Sequence, residues 1–496
     1  MKKKFNIHTV LKLVLASLIV LFYSCSSDDG GVAEPDTKPT PPVANAPTGP
    51  PGVTGATGMT GDLNGTIGRR NVTFLDPTFT TTVTLEIKSG ETFRQALIRS
   101  VNEAGTGGVI SIPDGIYETD IAIVLPTIED VVIQGSGKDN VTINAIGSFD
   151  TNVQGSRGVI AAGANKTTFK GISVDRKGLN TRRGAVISSN GFSDVKAYNV
   201  RFSNSKFGFG TPNNGRGFAN GSGLPINGLV AQNCEFINCE RGIAFNRAFS
   251  INKTKSITGM RVEGCQFKGT QSIGITLDCG NDGSDGTLDQ RNLIEAPEAK
   301  LTITDFNGMV IKGCTFEKAV LFNVAFAKAE NILVEDNLFL GNTAKDGTKD
   351  NKFARSLNLE HESNNVMISN NTFMSDPTTI QQSHISLFTF RDYKNPALFE
   401  NGVNNITILK NEFQGQRTTI GGEEASDILI KDNRFNSPRA TLREVNLFKL
   451  VNGEFNKNTQ GNKNIMFEGN IVETDDGPIT LDLNSDTVVI APFVAQ

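Results

Sequence analysis

Five short segments each carry two apolar residues, one apart, followed by a run that includes polar or charged side chains. They are GIAFNRA (242–248), GITLDCG (274–280), NVAFAKA (323–329), SLNLEHE (356–362) and HISLFTFRD (384–392). If each apolar pair turns inward on a strand, the next residue must point outward. That gives one row of Asn246, Asp278, Ala327, Glu360 and Phe388, and a neighbouring row of Arg247, Cys279, Lys328, His361 and Thr389, with Glu362 and Arg391 just beyond. Two chemistries fit these rows. Abstracting a proton beside a sugar carboxylate needs a base, a cation on the carboxylate and an acid for the leaving oxygen. Lys328 or His361 supplies the base, and Arg247 or Arg391 neutralises the carboxylate, with Asn246 and Glu362 holding substrate alongside. Hydrolysis of a glycosidic bond needs two carboxylates instead. Asp278 and Glu360, two strands apart, would lie about 9.6 Å from each other, near the upper limit for an inverting pair. Each charged residue also has a plain reading as a solvated side chain on an exposed strand face. His361 and His384 are the only histidines beyond His8, and His384, beside an apolar strand, is read as structural.

A second cluster lies in DCGNDGSDGTLDQ, residues 278–290. Asp282, Asp285 and Asp289, with Asp278 and Asn281, form an oxygen-rich set on a Gly-rich loop that suits Ca2+, a hard ion wanting several oxygen ligands. The order is not that of an EF-hand, and a solvated acidic turn is the reading preferred over a calcium site. Long inserts at 208–225 and 342–351 come from neighbouring repeats and would wall a cleft.

The elements that must position these residues are repeats. NGLVAQNCEF, ending at Phe236, has counterparts ending at Phe202, Phe267, Phe316, Phe339, Phe373, Phe413, Phe435 and Val472. A fixed motif returning at intervals of about 20 to 50 residues is the mark of a solenoid. Alternation with period two, bounded by Asn and Gly, makes each copy a short strand. Two positions before the aromatic the chain reads Val200, Cys234, Cys265, Cys314, Asn337, Asn371, Asn411, Asn433, Asn470. Stacked one above another, these predict an inward ladder of small side chains turning into an amide ladder, beside a parallel Phe stack. The fold class expected is all-β, a right-handed parallel β-helix. Phe93, Leu97, Ile98 and Val101, at helical spacing, predict an amphipathic helix over 91–104 that caps its open end.

Composition narrows the partners. The 496 residues carry a formal charge of −4, with no Trp and 4 Tyr. Lys2, Lys3, Lys4 and Lys12 fall in an N-terminal leader without acids, so the remainder is more acidic still. Nucleic acid, which requires a basic face, is excluded as main partner. No Cys spacing resembles a zinc site or a disulfide framework. Residues 1–25 have a basic start and an apolar run from Leu13 to Phe22, too short to span a membrane, which reads as an export signal. Residues 26–70 form a Pro, Gly and Thr-rich tether, including a collagen-like run at Gly49, Gly52, Gly55, Gly58 and Gly61. A monomer is expected, with a trimer as the alternative that this run allows. Residues 71–496 form the single β-helix domain.

Two resemblances add to this. The sequence LFYSC, ending at Cys25, resembles a bacterial lipobox, and the following SSDDGG resembles the tract that sends some Bacteroidetes lipoproteins to the outer face of the outer membrane. The resemblance implies acylation at Cys25, anchoring to a membrane through lipid alone, and display at the cell surface. Gly107-Gly108, a strand, Pro113-x-Gly115-x-Tyr117, then VVIQGSG (131–137) and VTI (141–143) resemble the start of pectate-lyase-like β-helix proteins. That resemblance covers about residues 85–485. It implies a carbohydrate-active enzyme on an extracellular polysaccharide, foremost a lyase on an acidic, uronate-containing one. A glycoside hydrolase and a non-catalytic glycan-binding protein or adhesin remain the alternatives. The paired-Asp and Gly-His-Gly set that marks polygalacturonases is absent, as are the Lys-Ser and Arg-His-Gly pieces of the chondroitinase B and alginate lyase group.

Overall fold

The computed structural model describes residues 81–146, 158–162, 166–177, 184–188, 195–205, 207–211, 226–227, 230–246, 257–269, 273–278, 306–317, 319–327, 329–342, 350–360, 363–375, 380–388, 403–414, 420–423, 425–436, 445–446, 449–451, 454–456, 463–474 and 477–484. Each full turn of the solenoid lays down three strands that pair in parallel with their equivalents one turn before and after, while Lys449–Val451 and Glu454–Asn456 form a separate antiparallel pair. The first face begins at Thr81–Thr84 and Gly108–Ser111, passes through segments such as Val230–Gln232, and ends at Lys463–Thr474. The second face runs from Gly115–Thr119 through Glu235–Ile237 to Arg434–Asn436. The third is an eleven-stranded sheet from Ile123–Val124 to Val445–Asn446. This is a parallel β-solenoid, consistent with the right-handed β-helix expected from the repeats.

The corner between the first and second faces explains the repeated Asn and Gly. Asn199, Asn233, Gly264, Gly313, Asp336, Asn370, Lys410, Asp432 and Gly469 all have φ between 50° and 62°. That left-handed conformation is open to Gly and tolerated by Asn and Asp. Each of these corners immediately precedes a ladder residue and turns it inward. Cys234, Cys265 and Cys314 are buried there, and each thiol donates to a carbonyl of the turn below, at 3.3 to 3.5 Å. From Asn337 onward an amide does more. Asn337 Nδ2 donates to Asn371 Oδ1 at 2.9 Å, and the chain of bonds continues through Asn411 and Asn433 to Asn470. Beside it, Phe202, Phe236, Phe267, Phe316, Phe339, Phe373, Phe413 and Phe435 stack with centroids 4.6 to 5.1 Å apart. Phe467 continues the stack at 5.6 Å, although Val472 is the residue in backbone register with Phe435.

Helix α1 (Phe93–Ala104) starts at Thr92, whose hydroxyl accepts from the Gln95 N–H while the Gln95 side chain accepts from the Thr92 N–H. That reciprocal pair satisfies two donors the first turn would leave open. Phe93, Ala96, Leu97, Val101 and Ala104 enter the core. The Pro-x-Gly-x-Tyr motif joins helix to solenoid: Tyr117 donates from its hydroxyl to the Pro113 carbonyl at 2.8 Å, and its ring stacks on Phe93 at 4.6 Å.

The far end departs from the expectation of parallel pairing to the C-terminus. Gly477–Asn484 folds back antiparallel on Lys463–Thr474. A last parallel strand would leave a row of open N–H and C=O groups, and a hairpin return pairs that edge without another solenoid turn. A depression on the outer side of α1, lined by Arg94, Gln95, Ile98, Arg99, Asn102 and Glu103, is a feature of helix packing. Its Arg99 is already held by Glu91 at 2.9 Å and Glu103 at 3.1 Å.

Candidate functional site

The described candidate residues fall on the third face, whose strands share an irregularity, a kink. The pairing skips one residue in each turn, between Arg241 and Ile243, Ile273 and Ile275, Phe322 and Val324, and Arg355 and Leu357. At the skipped position the side chain faces the core. A Cβ on Gly242 would meet the Phe267 ring, and one on Gly274 the Phe316 ring. The next residue, Ile243 or Leu357, is also in the core. Two successive inward residues throw the one before them outward, so Arg241, Ile273, Phe322 and Arg355 form an outward row.

Beyond the kink alternation resumes. Leu357 and Leu359 are fully buried, and the residues between and after them point away from the core. The second outward row holds Thr276, Ala325, Asn358 and Ser386, with Ala244 in register beside Thr276. A third register row, in which Glu360 points outward, pairs Asn246 with Asp278, Ala327 with Glu360, and Glu360 with Phe388. Leu277 pairs with Phe326, which places Asp278 two strands from Glu360, about 9.6 Å along the axis.

Of the candidate residues read from sequence, Asn246, Asp278 and Glu360 thus occupy one register row. Arg247, Lys328, His361, Glu362, Arg391, Asp282, Asp285, Asp289 and Cys25 lie outside the described residues. Among the described residues, no group of three or more His, Cys, Asp or Glu is placed to hold a metal ion.

The outward surface is not the fully solvated one that strand alternation suggests. Thr276, Asn358 and Ser386 are buried though they point away from the core, and Glu360 is half-buried. Asn358 Nδ2 donates to Glu360 Oε1 at 2.5 Å, which fixes the carboxylate against the sheet. Asn358 Oδ1, just as buried, has no partner. One turn below, Ala325 is too small to fill its place, and it and Phe322 stay partly open to solvent. The Arg355 guanidinium sits 5.6 Å from the Phe322 ring centroid, within cation–π range. Burial holds its pKa below the ordinary arginine value, partly offset by the negative charge of Glu360.

Arg355, Phe322 and Asn358 were missed in the sequence because strict period-two alternation does not anticipate the kink. The available signal was an Arg two places before the first core residue of its strand, in RSLNL as in RGIAF. His384, by contrast, is where a structural reading places it. It is buried at the skipped position, 5.7 Å from the Phe373 ring and 5.9 Å from the Phe413 ring, and burial lowers its pKa to about 4.

No protein-family model matches the chain, and no curated protein matches it. Solved structures do. The N-terminal fragment of bacteriophage phi29 gene product 12 is 11% identical with a TM-score of 0.44, over 79% of this chain and 71% of that one. The alginate lyase from Paenibacillus sp. str. FPU-7 is 10% identical with a TM-score of 0.38, over 72% and 95%. The A-module of the mannuronan C-5 epimerase AlgE6 of Azotobacter vinelandii is 13% identical with a TM-score of 0.37, over 70% and 96%.

Proposed function

We propose that this chain acts on an extracellular polysaccharide along the outward side of its third face, as a lyase on an acidic polymer. The observation that carries the reading is the alignment of Arg355, Asn358 and Glu360 in three parallel rows that continue from turn to turn. Successive turns lie about 4.8 Å apart, and along them Arg241, Thr276, Arg355, Asn358, Glu360 and Ser386 would offer a linear polymer polar contacts interspersed with apolar ones. In this reading Lys328 or His361 abstracts the proton beside the uronate carboxylate, and Arg247 or Arg391 withdraws charge from that carboxylate. The two-strand separation of Asp278 and Glu360 favours a second reading, an inverting hydrolase in which they share acid and base work.

Incubating the protein with alginate, pectate, glycosaminoglycans and algal galactans separates the readings. Unsaturated products absorbing in the ultraviolet support the lyase, and new reducing ends without that absorbance support the hydrolase. Binding without products makes the chain an adhesin. Glu360→Gln keeps the acceptor for Asn358 and should leave the thermal midpoint nearly unchanged. It should lower turnover by about 10² or more if Glu360 is a general acid or base. Full turnover in that variant moves the chemistry away from Glu360. Display at the cell surface through acylated Cys25 belongs to the same proposal. Cys25→Ala should release the protein from membranes, and unchanged partitioning would reject the anchor.

A further inference from the structure

The geometry points to an anion-reading subsite formed by Arg355, Phe322 and Asn358, which selects a sugar bearing an anionic oxygen group next to a free hydroxyl. This inference rests on the polysaccharide reading above and adds to it a substrate class and the residues that choose it. The groups present dictate the ligand. Arg355 Nε makes no hydrogen bond, and Glu360 acts on the guanidinium through its charge alone. A guanidinium drawn out of water onto an aromatic face, with its fork unfilled, is matched by a planar anion that accepts two parallel N–H bonds. Asn358 is 1% exposed and its Nδ2 is already committed to Glu360. Its Oδ1 is a buried acceptor with no donor. A buried acceptor left open is costly, and a hydroxyl is the donor a sugar can bring to it.

Placement supports the pairing. Phe322 and Arg355 are register partners on adjacent strands, and so are Ala325 and Asn358. The open place above Ala325 is therefore flanked by the ring and guanidinium on one side and by the amide on the other. A sugar ring lying there would put its apolar face on Phe322, its anion on Arg355 and its hydroxyl on Asn358 Oδ1. Glu360 closes the same place with negative charge. A ligand with a second anionic group pointing that way would be repelled, so the subsite should take one charge per sugar rather than a densely charged unit.

The shared chemistry, an anionic oxygen group beside a hydroxyl, can come from a uronate carboxylate or from a sulfate ester. Calorimetric titration of the whole protein with oligouronates from alginate and pectate, sulfated galactan oligosaccharides and neutral glucan oligosaccharides distinguishes these sources. One anionic class should bind and the neutral glucan should not, and rising salt should weaken the binding. Arg355→Met should reduce affinity for that class by about tenfold to a hundredfold, the worth of a hydrogen bond to a charged group. Arg355→Lys, which keeps the charge but loses the fork, should fall between. If Arg355→Met does not fold, Arg355→Lys and the salt dependence of the unaltered protein still decide the matter. Glycan binding that is insensitive to both substitutions and to salt overturns the subsite while leaving the polysaccharide reading standing. Binding of none of the panel overturns both.

Discussion

The same inward position is filled by thiols in one half of the solenoid and by amides in the other, and the two halves hold their turns together differently. At Cys234, Cys265 and Cys314 the side chain donates one weak bond to the carbonyl of the preceding turn. Burial and the flanking thiols push the Cys265 pKa well above its ordinary value, so it is an inert filler rather than a nucleophile. At Asn371 the amide donates to the Val334 carbonyl below and to Asn411 Oδ1 above. Its own oxygen accepts from both Asn337 Nδ2 and the Asn337 backbone N–H. An amide can close donor and acceptor needs at once, whereas a thiol covers a carbonyl and otherwise acts as a small apolar group.

The largest effect should come from breaking the amide half. Asn371→Ala removes the acceptor of the Asn337 N–H and the donor to the Val334 carbonyl, both buried. Leaving two such groups open should cost about 2 to 5 kcal/mol. Cys265→Ala leaves no strongly polar group open and should cost clearly less. Denaturant midpoints of the two variants, compared at equal slope, test the contrast. Equal losses would mean that the amide bonds contribute no more than packing.

His384 tests the amide half from another side, because it is a buried polar group there whose Nδ1 is left without a partner. Burial lowers its pKa from 6.5 to about 4. The unfolded chain therefore takes up the proton first as pH falls. Its contribution to stability is complete above about pH 6.5 and is lost progressively down to about pH 4, by roughly 3 kcal/mol at most. Unfolding measured across that window should show a loss in the parent chain that His384→Asn lacks. An identical pH profile in both would mean that the fold leaves the His384 pKa at its unfolded value.

How much of this was legible in the sequence follows from which constraint each residue obeys. The ladders were legible because identical residues recur at one offset from an aromatic, and stacking forces equal offsets onto equal places. The row of Asn246, Asp278 and Glu360 was legible for the same reason, once the apolar pairs had fixed the register. Arg355 was not, because the kink at Ser356 depends on two successive inward residues, Ser356 and Leu357, and of these Leu357 alone is apolar. Nor was the burial of Asn358, since alternation fixes the direction of a side chain but not what covers it. The return hairpin at Gly477–Asn484 was hidden too, because its alternation fits a parallel strand equally well.

The smallest effect, and the finest test of the two halves, is to move their boundary. Cys314 is the last thiol, and its backbone N–H already donates to Asn337 Oδ1 at 2.8 Å, the bond each ladder Asn from 337 to 433 makes to the next amide. Cys314→Asn would place an amide nitrogen where it can reach Asn337 Oδ1 and the Val262 carbonyl, which the thiol now meets at 3.5 Å. The new oxygen would point to the turn of Cys265. Against these gains stands the larger side chain beside the Phe316 stack, and overpacking a tight core costs about 1 to 3 kcal/mol. Because the Cys314 N–H already makes the bond to Asn337 Oδ1 that every amide position makes to the next, the position is already shaped as an amide site on that side. The variant should therefore be as stable as the parent or gain up to about 1 kcal/mol. The reverse change, Asn337→Cys, should lose about 1 to 3 kcal/mol, because the Cys314 N–H would be left without its acceptor. A loss of several kcal/mol on Cys314→Asn would show that the thiol half is shaped for small side chains, and that the boundary between the halves is set by packing rather than by hydrogen bonding.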